Sequence, residues 1–207
     1  MRKSRIAGLA CLMLTLGSCA SLVAPRVAAD PVVLKSGAYA LDLDHGSLLF
    51  KVSHLGFSLY VGRFNRFDAT LDFDADDVSA AHVEAKIDMA SLDVAHDDFA
   101  ATLTDQNWFD AGAYPEALFV STAIEKTGDK TGRMTGDLTL KGVTRPVTAE
   151  MTWNGSKDAG GRFGVRSGFD ATFTIKRSEF GMDTYVKEGG LGDEVTIMVG
   201  IEGAKES

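Results

Sequence analysis

The four histidines are the side chains best suited to acid–base or metal chemistry near neutral pH, and they stand at positions 45, 54, 82 and 96. None of these spacings resembles that of a metal-binding pair. His82 falls on the polar side of an alternating segment, and His96-Asp97-Asp98 reads as the start of a helix rather than a ligand set. The paired acids Asp76-Asp77 and Asp97-Asp98 are adjacent, and adjacent residues on a regular element do not converge on one substrate, so they read as solvated charge. No nucleophile elbow, phosphate loop or metal-ligand cluster is present. The sequence therefore assigns no catalytic residue, cofactor or metal.

Charge narrows the partners. The chain has 207 residues, with 21 basic and 29 acidic. Arg2, Lys3 and Arg5 precede an apolar run from Ile6 to Leu16, which is too short to span a bilayer and reads as an export signal. Two cleavage sites compete. Val27-Ala28-Ala29 suits ordinary signal peptidase, giving a leader of residues 1–29. Leu16-Gly17-Ser18-Cys19 resembles a lipobox, in which Cys19 is lipidated and tethers the protein to a membrane. Both place the protein in the periplasm. Loss of the leader removes four basic residues and no acid, leaving a balance of −12. That excess argues against nucleic acid, which needs a basic footprint, and against an electrostatic hold of the whole chain on anionic lipid surfaces. Both cysteines, Cys11 and Cys19, lie in the leader, so the exported domain depends on apolar burial rather than disulfides.

Residues 30–38 read as a linker. Beyond it, apolar and polar residues alternate in segment after segment: Leu48, Phe50 and Val52; Phe67, Ala69, Leu71 and Phe73; Val83, Ala85, Ile87 and Met89; Met134, Gly136, Leu138 and Leu140; Val147, Ala149, Met151 and Trp153; Phe163 to Ile175; Val195 to Ile201. Period-two alternation turns one face of each strand to an apolar interior and the other to water, which predicts an all-β, antiparallel sheet. Turns are expected at Gly128-Asp129-Lys130, Lys141-Gly142, Asn154-Gly155, Gly160-Gly161 and Gly189-Gly190. Ala95–Asp105 breaks the period, with Phe99 and Leu103 four apart, and predicts one short inserted helix. Strands this long either stack as two sheets or close into a barrel, and periodicity allows both. Seven phenylalanines, at 50, 67, 73, 119, 163, 169 and 173, take inward positions. Leu118, Val120 and Ile124 form the one apolar patch expected on an outer face.

These segments contain ordered motifs: Tyr39-Ala40-Leu41-Asp42, Asp44-His45-Gly46-Ser47, Phe50-Lys51-Val52-Ser53-His54, Val61-Gly62-Arg63-Phe64, Trp108-Phe109-Asp110, Tyr114-Pro115, Phe119-Val120-Ser121-Thr122, the stretch Gly136 to Val147, and Arg177-Ser178-Glu179-Phe180-Gly181. In order and spacing they resemble the YceI-like family of periplasmic isoprenoid-binding proteins over residues 39–203. Gly46 is inserted into the usual histidine–serine pair, Glu179 replaces a commoner aspartate, and Met182–Gly192 is less typical. The resemblance implies a lipocalin-like antiparallel β-barrel of about eight strands that holds a polyprenyl or quinone-like chain without chemistry, and a homodimer. It makes Phe50, Val52, Phe67, Leu71, Phe73, Ile87, Phe119, Leu138, Phe169, Phe173 and Ile197 the barrel lining expected to touch the ligand. The alternative is that these side chains fill a solid core. His54 and Arg177 continue inward parities at strand ends, where they would meet a polar head group or, more simply, serve in a core hydrogen bond and a rim salt bridge. Two competing functions stay open: an enzyme using His54 as acid or base at the barrel mouth, and an envelope-stress module that binds protein through a sheet edge.

Overall fold

Alternation fixes which side of each strand is inward, and hydrogen-bonded register fixes how the strands close. The computed structural model describes residues 34–158, 160–161 and 164–206. The leader with Cys11 and Cys19, the first part of the linker, and Phe163 lie outside the described residues. Eleven strands form one sheet: β1 (Gly37–Leu41), β2 (Ser47–His54), β3 (Ser58–Phe64), β4 (Phe67–Phe73), β5 (His82–Asp88), β6 (Leu92–Asp93), β7 (Glu116–Lys126), β8 (Thr131–Leu140), β9 (Val143–Asp158), β10 (Val165–Lys176) and β11 (Leu191–Lys205). β1 and β2 pair with successive stretches of β11, from Tyr39↔Lys205 to His54↔Leu191. β3 and β4 pair with β2 and β1 in the same way, and β5 and β6 with β4 and β3. The eleven pieces therefore make eight continuous strand lines, each antiparallel to its chain neighbour, and the last pairs with the first. The fold is a closed up-and-down barrel, not a sandwich.

The expected helix is α1 (Asp97–Thr104), with His96 at its N-cap and both aspartates in its first turn, where they meet the positive end of the helix dipole. It lies over one end of the barrel. β1 begins at Gly37, and Leu34 before it is already buried.

Two local expectations are corrected. Asn154-Gly155 is not a turn: β9 runs on to Asp158, and the register shifts so that Gly155 faces Gly168 while Trp153 faces Phe169. Asn154 is the extra residue of a β-bulge, with Gly155 at φ +127 and the Asn154 amide donating to Asp170. The second correction concerns the outer patch. A register shift between Ser121 and Ala123 inverts the parity of β7, so Ile124 pairs with inward Met134 and borders the interior. Leu118 and Val120 alone remain outside, and both are half-buried.

Candidate ligand cavity

The interior is hollow. Two chambers, of about 600 and about 370 Å³, occupy the barrel, each within the range of small-molecule sites. Leu48, Ile87, Leu138, Phe173 and Ile197 border both, so these five apolar side chains form a waist between the chambers. All eleven residues expected to line the barrel border this space: Phe50 and Val52 the larger chamber, Phe67, Leu71, Phe73, Phe119 and Phe169 the smaller, and Ile87, Leu138, Phe173 and Ile197 the waist.

Two inward glycines make room for neighbouring rings. Gly62 lies directly across from Phe50, and a Cβ there would stand 2.4 Å from its ring; one on Gly136 would stand 2.4 Å from the Phe119 ring. Each ring occupies the space over its glycine that a side chain at that position would need.

A cap of α1, residues 105–115 and residues 177–190 covers the end of the larger chamber. Phe109 wedges edge-on against Phe50 and Phe64, with centroids 6.3 and 5.6 Å away, and Trp108 lies 6.2 Å from Tyr185. Phe64, Tyr60, Leu103, Phe109 and Met182 all line this chamber and were not among the lining residues expected from the sequence. Two cations pin the cap. Lys141, in the tight β8–β9 turn, donates to the carbonyls of Gln106 and Trp108 at 3.2 and 2.7 Å. Arg177 donates from Nε to Gly192, from Nη1 to Met182, and from Nη2 to Thr184 and Leu191, at 2.6–3.0 Å. Thr184 in turn donates to the Asn107 carbonyl, joining the two cap segments.

Arg177 thus stands where parity put it, at the same end as His54, but not as an exposed rim group. It is only 5% exposed, no carboxylate pairs with it within 4 Å among the described residues, and four of its five N–H groups are committed to carbonyls. Burial lowers its pKa, partly offset by Asp193 and Asp183. Asp193 accepts from the Ser178 amide and hydroxyl, and Gly181 closes the turn at φ +72. The Arg177–Gly181 motif is therefore a loop anchor. His54 is exposed at the mouth, and its ring makes no hydrogen bond or ion pair among the described residues. At the opposite end the β7–β8 hairpin frames the smaller chamber with Glu125, Lys126, Asp129 and Lys130.

The one grouping of metal-type ligands among the described residues is Asp42, His45 and Glu202, whose ligand atoms lie within 4.8 Å of one another. It escaped sequence reading because Glu202 is distant in the chain. It sits outside the cavity, and Arg166 already forms an ion pair with Asp42. Burial pushes the Asp42 carboxyl up, but the His45 ring, the Asp44 amide and the Arg166 charge outweigh it and hold the carboxyl below its ordinary value. This is an ion-pair cluster that ties the β1–β2 turn to β10.

The barrel has known relatives. Residues 39–203 match the YceI-like domain family. A UPF0312 protein of Pseudomonas savastanoi pv. phaseolicola is 39% identical over 170 residues, covering 82% of this chain and 84% of that protein. Among solved structures, Burkholderia cenocepacia BcnA superposes with a TM-score of 0.71 at 29% identity, over 78% of this chain and 98% of that one. A polyisoprenoid binding domain from Saccharophagus degradans superposes at 0.62 and 16% identity, over 81% and 98%, and shares the fold. A family match across the whole barrel, joined to a close relative over four-fifths of the chain, means that this protein belongs to the YceI-like family.

Proposed function

We propose that this protein is a periplasmic carrier that holds a long apolar isoprenoid-type lipid, polyprenyl or quinone-like, in the barrel and releases it chemically unchanged. The observation that carries the reading is the lumen: two chambers sharing a waist of Leu48, Ile87, Leu138, Phe173 and Ile197, the larger lined mainly by Phe, Leu, Ile, Val and Met, the smaller by these with alanines and a charged edge at the β7–β8 hairpin. An isoprenoid has few hydrogen-bonding groups along its length, so apolar area is what it requires. Each buried methylene-sized group contributes about 0.8 kcal/mol, and about ten buried carbons give roughly 8 kcal/mol before association costs. The polyisoprenoid-binding relative in Saccharophagus degradans supports the same ligand class.

A carrier also fits the polar inventory of the wall. A His54 acid or base would need an orienting partner, and none touches its ring among the described residues. Residues 39–203 act as the binding domain, exported by a leader ending at Ala29 or before Cys19. Native mass spectrometry of the purified protein, followed by organic extraction, tests the proposal. A co-purifying apolar chain released intact is the expected result; an empty barrel that also rejects added prenols would refute it.

A further inference from the structure

A carrier must meet the surface from which its ligand comes, and the exposed apolar residues cluster where the larger chamber opens. The β2–β3 hairpin presents Leu55, Phe57, Leu59 and Val61, exposed by 52, 89, 62 and 50%. Leu59 and Val61 alternate with inward Tyr60 and Gly62, so they project from the outer face, while Leu55 borders the mouth. Phe99 and Tyr185 complete the apolar rim.

Leu55 holds its place against backbone preference. With φ of +52 and +70 at Leu55 and Gly56, and the Phe57 amide donating to the His54 carbonyl, these two residues are the centre of a left-handed β-turn within the three-residue loop between paired His54 and Ser58, and Asn or Asp suits its first position. A leucine there gains nothing from local hydrogen bonding, and its side chain stays exposed. The hairpin's own charge is equally selective, although Glu194 on the adjoining strand and Asp97, Asp98 and Glu188 near Phe99 and Tyr185 bring acid close to it. Ser47–Phe64 has no carboxylate in a chain with 29, yet it carries Lys51 and Arg63 on the outer face. Neither is in an ion pair within 4 Å among the described residues. Asp93, across the β3–β6 pairing from Arg63, accepts from the Asn65 amide and the Ala95 N–H and also feels the Arg63 charge, which helps hold its carboxyl below the ordinary value.

We propose that this hairpin docks the barrel on a phospholipid surface, with Leu55, Phe57 and Leu59 entering the interfacial layer and Lys51 and Arg63 meeting lipid phosphates, so that the mouth of the larger chamber faces the bilayer. The proposal rests on the lipid-carrier reading for its purpose, but its test is separate. The apolar tip supplies penetration and the two cations a favourable charge, the two ingredients of interfacial binding.

Flotation of the full-length protein with phosphatidylcholine vesicles, with and without phosphatidylglycerol, measures docking. Binding of geranylgeraniol delivered from cyclodextrin measures the cavity. The wild type should float, more strongly with phosphatidylglycerol. Phe57→Ser/Leu59→Ser should lower its partition about tenfold or more, as withdrawal of two apolar side chains from lipid implies, while keeping cyclodextrin-delivered binding. Lys51→Glu/Arg63→Glu should lose the phosphatidylglycerol increment. Leu55→Asn should float less without lowering the melting temperature, because asparagine suits the left-handed turn. Failure of the wild type to float, or equal flotation of Phe57→Ser/Leu59→Ser, overturns docking. So does a stable dimer in sedimentation that the same double variant dissociates, since a second copy would then cover the patch. A wild type that binds geranylgeraniol without floating sinks this inference alone; a wild type that does neither sinks the carrier reading too.

Discussion

Replacing Arg177 by methionine isolates what holds the cap. Methionine keeps the apolar stem but removes four hydrogen bonds, at 2.8 Å to Gly192, 2.6 Å to Met182, 2.8 Å to Thr184 and 3.0 Å to Leu191. An unsatisfied buried carbonyl costs about 1–3 kcal/mol, and relief of the guanidinium's desolvation returns part of the loss. The net expectation is about 3–4 kcal/mol, or a melting temperature lower by roughly 10 °C for a domain of this size. Thermal unfolding by circular dichroism measures the global part. Hydrogen exchange measures the local part, at the Val186, Gly189, Gly190 and Leu191 amides that close this loop. Arg177→Lys should fall between the two, since one ammonium cannot reach four carbonyls in a fixed fork. A loss below about 1 kcal/mol with unchanged exchange at these amides would refute the clamp.

Three further outcomes follow from the same contacts. Gly62→Ala and Gly136→Ala should each cost about 1–3 kcal/mol in denaturant unfolding. Gly136 should be the worse, because its new methyl meets the Val120 carbonyl at 2.5 Å as well as a movable ring. Lys141→Met should release residues 105–110, read as faster amide exchange at Trp108 and Phe109 and faster exchange of a bound prenol, with the barrel otherwise intact. Asp42 has a folded pKa below its ordinary value, so its ionised form stabilises the fold at neutral pH, and that contribution fades as pH falls through the folded pKa. The stability gap between wild type and Asp42→Asn should therefore hold steady at neutral pH and shrink below about pH 4.

The antiparallel strands and their inward faces were legible because period-two alternation survives wherever one face is apolar, whereas closure into a barrel was implied by the family resemblance alone. The eleven expected lining positions border the lumen for that reason. What alternation cannot carry is an inserted residue: the bulges after Ser121 and at Asn154 look like uninterrupted strand or like a turn until the partner's register is known. Nor does parity reveal how a side chain is spent. Arg177 and Lys141 contact carbonyls set by long-range folding, and nothing at their own positions distinguishes a loop clamp from a head-group anchor. The cap residues Trp108, Phe109 and Met182 escape because they come from irregular segments with no period. The two glycines beside Phe50 and Phe119 read only as gaps in a pattern, although each leaves the room that its neighbouring ring fills.

The account stands on a continuous lumen through which one apolar chain passes the waist, and Leu138→Trp tests it there. Titration calorimetry would compare a two-isoprene alcohol, short enough for the larger chamber, with an eight-isoprene alcohol that needs both. The account predicts that blocking the waist leaves the short alcohol nearly unaffected and weakens the long one by about tenfold or more. Equal affinities for wild type and variant toward the long alcohol, or no uptake of either by the wild type, would contradict it.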